Sequence, residues 1–167
     1  MSGSVRQILE LLERDAQLSP DTIATMLDIP VEQVREAIAG WEASGAIRRY
    51  KAVVDWDTVD DDPTRELVTA FIDVSLAPAR GVGFDDVAAR IARFPEVRSV
   101  YLVSGSHDLR CTVDGATIRA VSDFVSQKLS TIDRVRSTAT HFVLKTYKRD
   151  GDDFAKAEPD HRLPVTP

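Results

Sequence analysis

The chain has 167 residues, 43% hydrophobic and 29% charged, with a net charge of −6. This composition fits one ordinary globular domain or two small ones, and the acidic balance argues against a protein that coats nucleic acid nonspecifically. No apolar run suits a signal peptide or reaches membrane-spanning length, so a cytoplasmic protein with no membrane partner is expected. Cys111 is the single cysteine, and its mid-strand position reads as a buried structural thiol rather than a nucleophile.

Residues 1–49 read as helices. Val5, Ile8, Leu9 and Leu12 recur at spacings of three and four, the apolar stripe of a first helix. In "LSPDTIATML", Ser19 suits an N-cap, Pro20 the first helical position and Asp21 the first turn. A third helix starts near Val31, carries Val34, Ile38 and Trp41 on one face, and stops at Ser44, because Gly45 is a natural left-handed cap. Two helices joined by a short turn make a helix-turn-helix pattern. Residues 50–65 follow as a connection: a strand from Tyr50 to Trp56, then the acidic linker "DTVDDDPT".

From Glu66 the period becomes two. Val68, Ala70, Ile72, Val74 and Leu76 share one face of a strand. A helix over "GFDDVAARIARF" turns Phe84, Val87, Ala88 and Ile91 inward, and "VRSVYLVS" and "LRCTV" are strands around the turn Ser104–Asp108. The helix "TIRAVSDFVSQKL" turns Ile118, Val121, Val125 and Leu129 inward, and "RVRSTATHFVLKTY" is a long last strand. Residues 66–149 are therefore a ferredoxin-like βαββαβ domain, and the fold class is α+β. Both helices fall on one sheet face, so Leu67, Phe71, Tyr101 and Val103 on the other await a partner subunit. The polar tail, residues 150–167, is expected to be flexible.

Catalytic and metal constellations are weak. His107, His141 and His161 show no metal-ligand spacing. Ser106, His107 and Asp108 are contiguous, and adjacent strand residues point to opposite faces, which disfavours a hydrolytic triad. No nucleophile elbow and no phosphate loop occurs. No cofactor, metal or catalytic residue is expected. Through Lys51 the chain carries six basic residues against eight acidic ones, unusual for a surface that meets phosphates. The useful positive charge is concentrated in Arg48, Arg49 and Lys51.

The layout resembles the Lrp/AsnC family of transcription regulators. "GAIRRYKAVVD" carries the family's exit from the helix-turn-helix at Gly45, Ile47, Tyr50, Ala52 and Asp55. "VRSVYLVSGSHDL" carries its effector-domain signature at Val97, Gly105 and Asp108, and "STATHFVLKTYK" its closing strand at Thr138 and Thr140. The resemblance implies a regulator whose third helix enters the major groove of double-stranded DNA. It implies a homodimer paired through Tyr50–Trp56 and the open sheet face, assembling further to an octamer, with a small effector, commonly an amino acid, where dimers meet. Departures fall on the third helix: Pro30 replaces a serine N-cap, and Arg35 is its only basic residue, beside Glu32 and Glu36. Gln33 and Arg35 are left to read bases, with Arg48, Arg49 and Lys51 for phosphates.

A zwitterionic effector needs donors for its carboxylate and an acceptor for its ammonium. Backbone around Gly105 can approach closely, Asp108 can accept from the ammonium, and Thr138 and Thr140 offer hydroxyls from one strand face. His107 would face the effector side chain or a neighbouring subunit. Two other functions share this layout. Sirohaem decarboxylases would use His107 or His141 on a tetrapyrrole, and a DNA-free amino-acid sensor would act through protein contacts.

Overall fold

The computed structural model describes residues 3–59, 67–78 and 83–155. The chain divides into two compact units, residues 1–54 and 55–167.

The first unit holds α1 (Gly3–Arg14), α2 (Pro20–Leu27) and α3 (Val31–Ser44). The capping chemistry is as the residues dictate. Ser19 accepts a hydrogen bond from Thr22 N at 3.1 Å, and Pro20 opens α2. Asp28 closes α2 at φ 52°, a left-handed cap that redirects the chain into α3. Pro30 precedes α3 without a side-chain cap, and Gly45 ends it at φ 74°. Ile8, Leu12, Ile23, Ala24 and Val34 form the core, with Ile38 and Trp41 packed against it.

Residues 48–55 form no strand of the sheet, and Trp56–Val59 is a short helix, α4. The expected Tyr50–Trp56 strand is therefore corrected. Alternation of side chains sets which way residues face, but a strand exists only where a ladder of hydrogen bonds pairs it. Residues 60–66 of the expected linker lie outside the described residues.

The second unit contains β1 (Val68–Leu76), α5 (Asp85–Ile91), β2 (Val97–Leu102), β3 (Leu109–Gly115), α6 (Ile118–Phe124) and β4 (Val135–Phe142). The antiparallel sheet runs β2-β3-β1-β4. Ala70, Ile72, Val74 and Leu76 of β1, Leu109, Cys111 and Val113 of β3, and Val87, Ile91, Val121 and Phe124 from the helices make one core. Both helices thus lie on one face.

Three expectations here need correction. After Phe124 the helix becomes a π-helical turn, Val125–Leu129, closed by Ser130 N donating to Val125 O at 2.8 Å. The extra residue lets Phe124 and Leu129 both point inward, while Ile118, in the first turn beside the Thr117 cap, is exposed. The last strand ends at Phe142 rather than running to Tyr147. The segment from residue 150 is not all loose tail. Lys148–Arg149 (β5) pairs with Asp152–Asp153 (β6) across Asp150–Gly151, both at positive φ, the hairpin turn that an Asp-Gly pair favours. Residues 156–167, including His161, lie outside the described residues.

Gly115 marks where α6 meets the sheet. A Cβ there would stand 2.7 Å from Val121 Cγ2 and 3.3 Å from Val121 N. Gly115→Ala is expected to cost about 1–3 kcal/mol by overpacking, read as a lower melting temperature of the full chain.

Candidate nucleic-acid interface and effector site

In the helical unit, Gln33 and Arg35 are exposed on the early turns of α3. Arg35 does not stand free: Nη2 lies 3.2 Å from Asp21 Oδ2 and Nη1 3.9 Å from Glu32 Oε2. Arg48, Arg49 and Lys51 are exposed beyond Gly45. Tyr50 sits among them and donates its hydroxyl to Glu42 Oε1 at 2.9 Å, which ties this basic segment to the end of α3. Burial, then the Glu42 hydrogen bond and charge, raise the Tyr50 phenol above its ordinary value of 10.0. Arg48 and Arg49 make no ion pair among the described residues, so both are available to an anion beside α3.

In the sheet unit, Asp108 closes the turn between β2 and β3. Its N–H donates to Val74 O at 3.0 Å, its carbonyl accepts from Val103 N at 2.9 Å, and its carboxylate Oδ2 accepts from Leu76 N at 2.7 Å. The side chain thus fastens the end of β1. Gly105 lies at φ 139°, which favours glycine, and nothing stands within 4 Å of where a Cβ would be. The glycine is therefore required by backbone conformation, and the space over it is open.

That space is a shallow hollow of about 490 Å³ between the Ser104–His107 turn and the side chains of Asp73 and Arg110. His107 and Gly105 line it, as does half-buried Val103. Asp108 does not, and neither do Thr138 and Thr140. In the register they oppose Val74 and Ile72, so they share the helix-covered side of the sheet. Asp108 and Thr138 nevertheless flank the same residue, Val74, from opposite sides of β1.

A polar cluster absent from the sequence expectations sits on the uncovered face. Asp73, whose side chain is only 6% exposed, accepts from Arg110 Nε at 2.7 Å and Nη2 at 2.9 Å. His107 Nδ1 and His141 Nε2 stand 3.9 and 3.5 Å from Asp73 Oδ2, and His107 Nδ1 is 3.0 Å from Ser106 Oγ. The two-pronged Arg110 bond holds the Asp73 carboxyl below its ordinary 3.8, outweighing the opposite push of burial, and the two imidazoles add to the lowering. Around this cluster Phe71 and Tyr101 are exposed on the same face, and Leu67 is exposed just before β1. The face expected to be apolar is therefore aromatic at its margins and ionic at its centre.

The signal was present in each strand: a single charged or imidazole residue in "FIDVSL", "LRCTV" and "ATHFV", on the phase opposite to the apolar face. Among the described residues, no three His, Cys, Asp or Glu side chains form a metal-binding group, and no helix is long and apolar enough to cross a membrane. Cys111 is fully buried, and burial, then the Asp73 charge, pushes its thiol up to about 11. It is expected to resist iodoacetamide at neutral pH until the chain is unfolded, as mass spectrometry would show.

Comparison with known proteins agrees with this geometry. Residues 69–153 match the family model described as the Lrp/AsnC ligand binding domain. The chain is 48% identical over 161 residues to the uncharacterized HTH-type transcriptional regulator YugG of Bacillus subtilis, covering 96% of this chain and 95% of that one. It superposes on the leucine response regulatory protein LrpA of Mycobacterium tuberculosis with a TM-score of 0.75 at 24% identity, covering 93% and 100% of the two chains. The transcriptional regulator NMB0573 of Neisseria meningitidis, solved as a complex with L-Met, gives 0.70 at 24% identity, over 89% and 93%. These relatives are regulators, not enzymes. The chain thus belongs to the Lrp/AsnC family of helix-turn-helix transcription regulators, with a ligand-binding domain following its helical unit in the sequence.

Proposed function

We propose that this regulator is a cytoplasmic homodimer, assembling further to an octamer, that binds double-stranded DNA and responds to a free amino acid held between dimers. On this reading α3 enters the major groove with Gln33 and Arg35 at base edges, while Arg48, Arg49 and Lys51 meet phosphates. The uncovered sheet face, with Phe71 and Tyr101 exposed, packs on its twofold mate. With so little positive charge per subunit, several linked DNA-binding units would supply affinity by avidity.

The observation that carries the effector reading is the open space over Gly105, in the turn that Asp108 closes. Backbone N–H groups of the turn would receive the effector carboxylate, and Asp108 would receive its ammonium. His107 stands where an effector side chain would end, whereas Thr138 and Thr140 lie on the helix-covered side of the sheet and outside this hollow. The L-Met complex of the Neisseria protein supports the ligand class.

A thermal-shift screen of the twenty amino acids tests this directly. A true effector at about a hundred times its Kd stabilises by roughly 2.7 kcal/mol through linkage, and Asp108→Asn abolishes the shift. A screen in which no amino acid moves the melting temperature removes the amino-acid reading. Effector binding without any DNA binding would instead favour a DNA-free sensor.

A further inference from the structure

The ion pairs of Arg35 do nothing evident for the fold. Its side chain is 55% exposed, and those of Asp21 and Glu32 are 69% and 71% exposed. Exposed pairs of this kind add little stability. The Asp21 pair does, however, join the first turn of α2 to α3, and these are the two elements that a helix-turn-helix presents to DNA. Its first helix crosses the phosphate backbone, and its second enters the groove. The single basic residue of α3 is thus held by two carboxylates at the surface that would meet DNA, and the three groups together carry one net negative charge.

We infer that Asp21 is a specificity-determining residue: its carboxylate keeps Arg35 from random phosphates and yields it to a base edge that offers two acceptors. The inference rests on the DNA-binding reading above. In a nonspecific complex, Arg35 gains a phosphate only by leaving Asp21, and the abandoned carboxylate then faces phosphates of its own sign. In a matched complex, guanine O6 and N7 accept both prongs of the guanidinium without bringing a negative charge. The acid beside the arginine therefore costs more in the wrong complex than in the right one, which is how a repulsive element produces discrimination. The acidic surplus of residues 1–51 acts in the same direction.

The test uses the full chain and a fluorescent random-sequence duplex, titrated by anisotropy between about 50 and 200 mM salt. Asp21→Asn is expected to raise affinity about threefold to tenfold. It should also steepen the dependence of log K on log salt by about one, as Arg35 takes a phosphate. Asp21→Ser should do the same, so the result does not hang on one variant. In an Arg35→Gln background, Asp21→Asn should give a clearly smaller gain, from lost repulsion alone, and should not add the extra phosphate contact to the slope. An equal gain in both backgrounds would overturn the inference, because Asp21 would then merely repel phosphates. Weaker binding by Asp21→Asn would overturn it too, because Asp21 would then aim Arg35 at the DNA. Wild-type binding with an unchanged slope removes this inference alone, whereas no binding by any variant removes the DNA-binding reading with it.

Discussion

Replacing Arg48 and Arg49 together by alanine weakens DNA binding about fiftyfold at roughly 0.1 M salt and flattens the salt dependence by nearly two. The size follows from counterion release. Each phosphate neutralised contributes about 0.9 to the slope of log K against log salt, so each is worth nearly tenfold at that concentration. Both arginines are exposed on a segment that Tyr50 ties to α3 through Glu42. Arg35, in contrast, is already engaged by Asp21. Loss of Arg48 and Arg49 should weaken all sequences alike, since phosphate contacts position the protein without reading bases. A gel shift or anisotropy titration against several duplexes measures this. If the double variant binds like the parent, the basic segment after α3 is not the phosphate contact.

Replacing Arg110 by alanine destabilises the sheet domain, and its effect depends on pH. Asp73 is buried, and Arg110 is the partner that bonds both of its oxygens. His107 and His141 stay near at 3.9 and 3.5 Å, but neither replaces a two-pronged charged bond. Leaving the Asp73 carboxylate unsatisfied costs about 1–3 kcal/mol, which is a fall of several degrees in melting temperature for a domain of this size.

The pH course follows from the direction of the shift. Asp73 has its pKa lowered below 3.8 in the folded chain. The stability it contributes is complete above that value and is lost as pH falls through the folded pKa. Without Arg110, burial dominates and the carboxyl is pushed upward, so acid relieves the variant rather than harming it. The gap in melting temperature between parent and Arg110→Ala is therefore widest near neutrality and closes below about pH 4. A gap that stays constant with pH would mean that Arg110 matters by packing and not by charge.

Much of the fold was legible because its cues are local. Ser19, Pro20 and Gly45 act within one helical turn of themselves, and the alternation in β1 needs only its own residues. Where sequence reading failed, the deciding partner was remote. Whether Tyr50–Trp56 forms a strand depends on a ladder, not on its own alternation. The π turn at Val125–Leu129 appears only when Phe124 and Leu129 compete for one core. Asp73 and Arg110 are thirty-seven residues apart, and the register of β1 on β3 brings them together. For the candidate site, Gly105 and Asp108 were readable from turn chemistry, and the structure gives each a definite backbone duty. Their companions on the uncovered face were not, because each of three strands contributes one residue. The Asp-Gly turn at residues 150–151 was a readable local cue, hidden by the polar composition of the tail around it.

Amino-acid-responsive DNA binding is tested most directly by one selection experiment: the full chain mixed with sheared genomic DNA from its host, the bound fragments recovered and sequenced with and without free amino acids. The predicted result is a small set of discrete sites whose recovery changes with one amino acid or a narrow group of them. Recovery no more selective than that of the Arg48→Ala/Arg49→Ala variant, and unchanged by every amino acid, would contradict it.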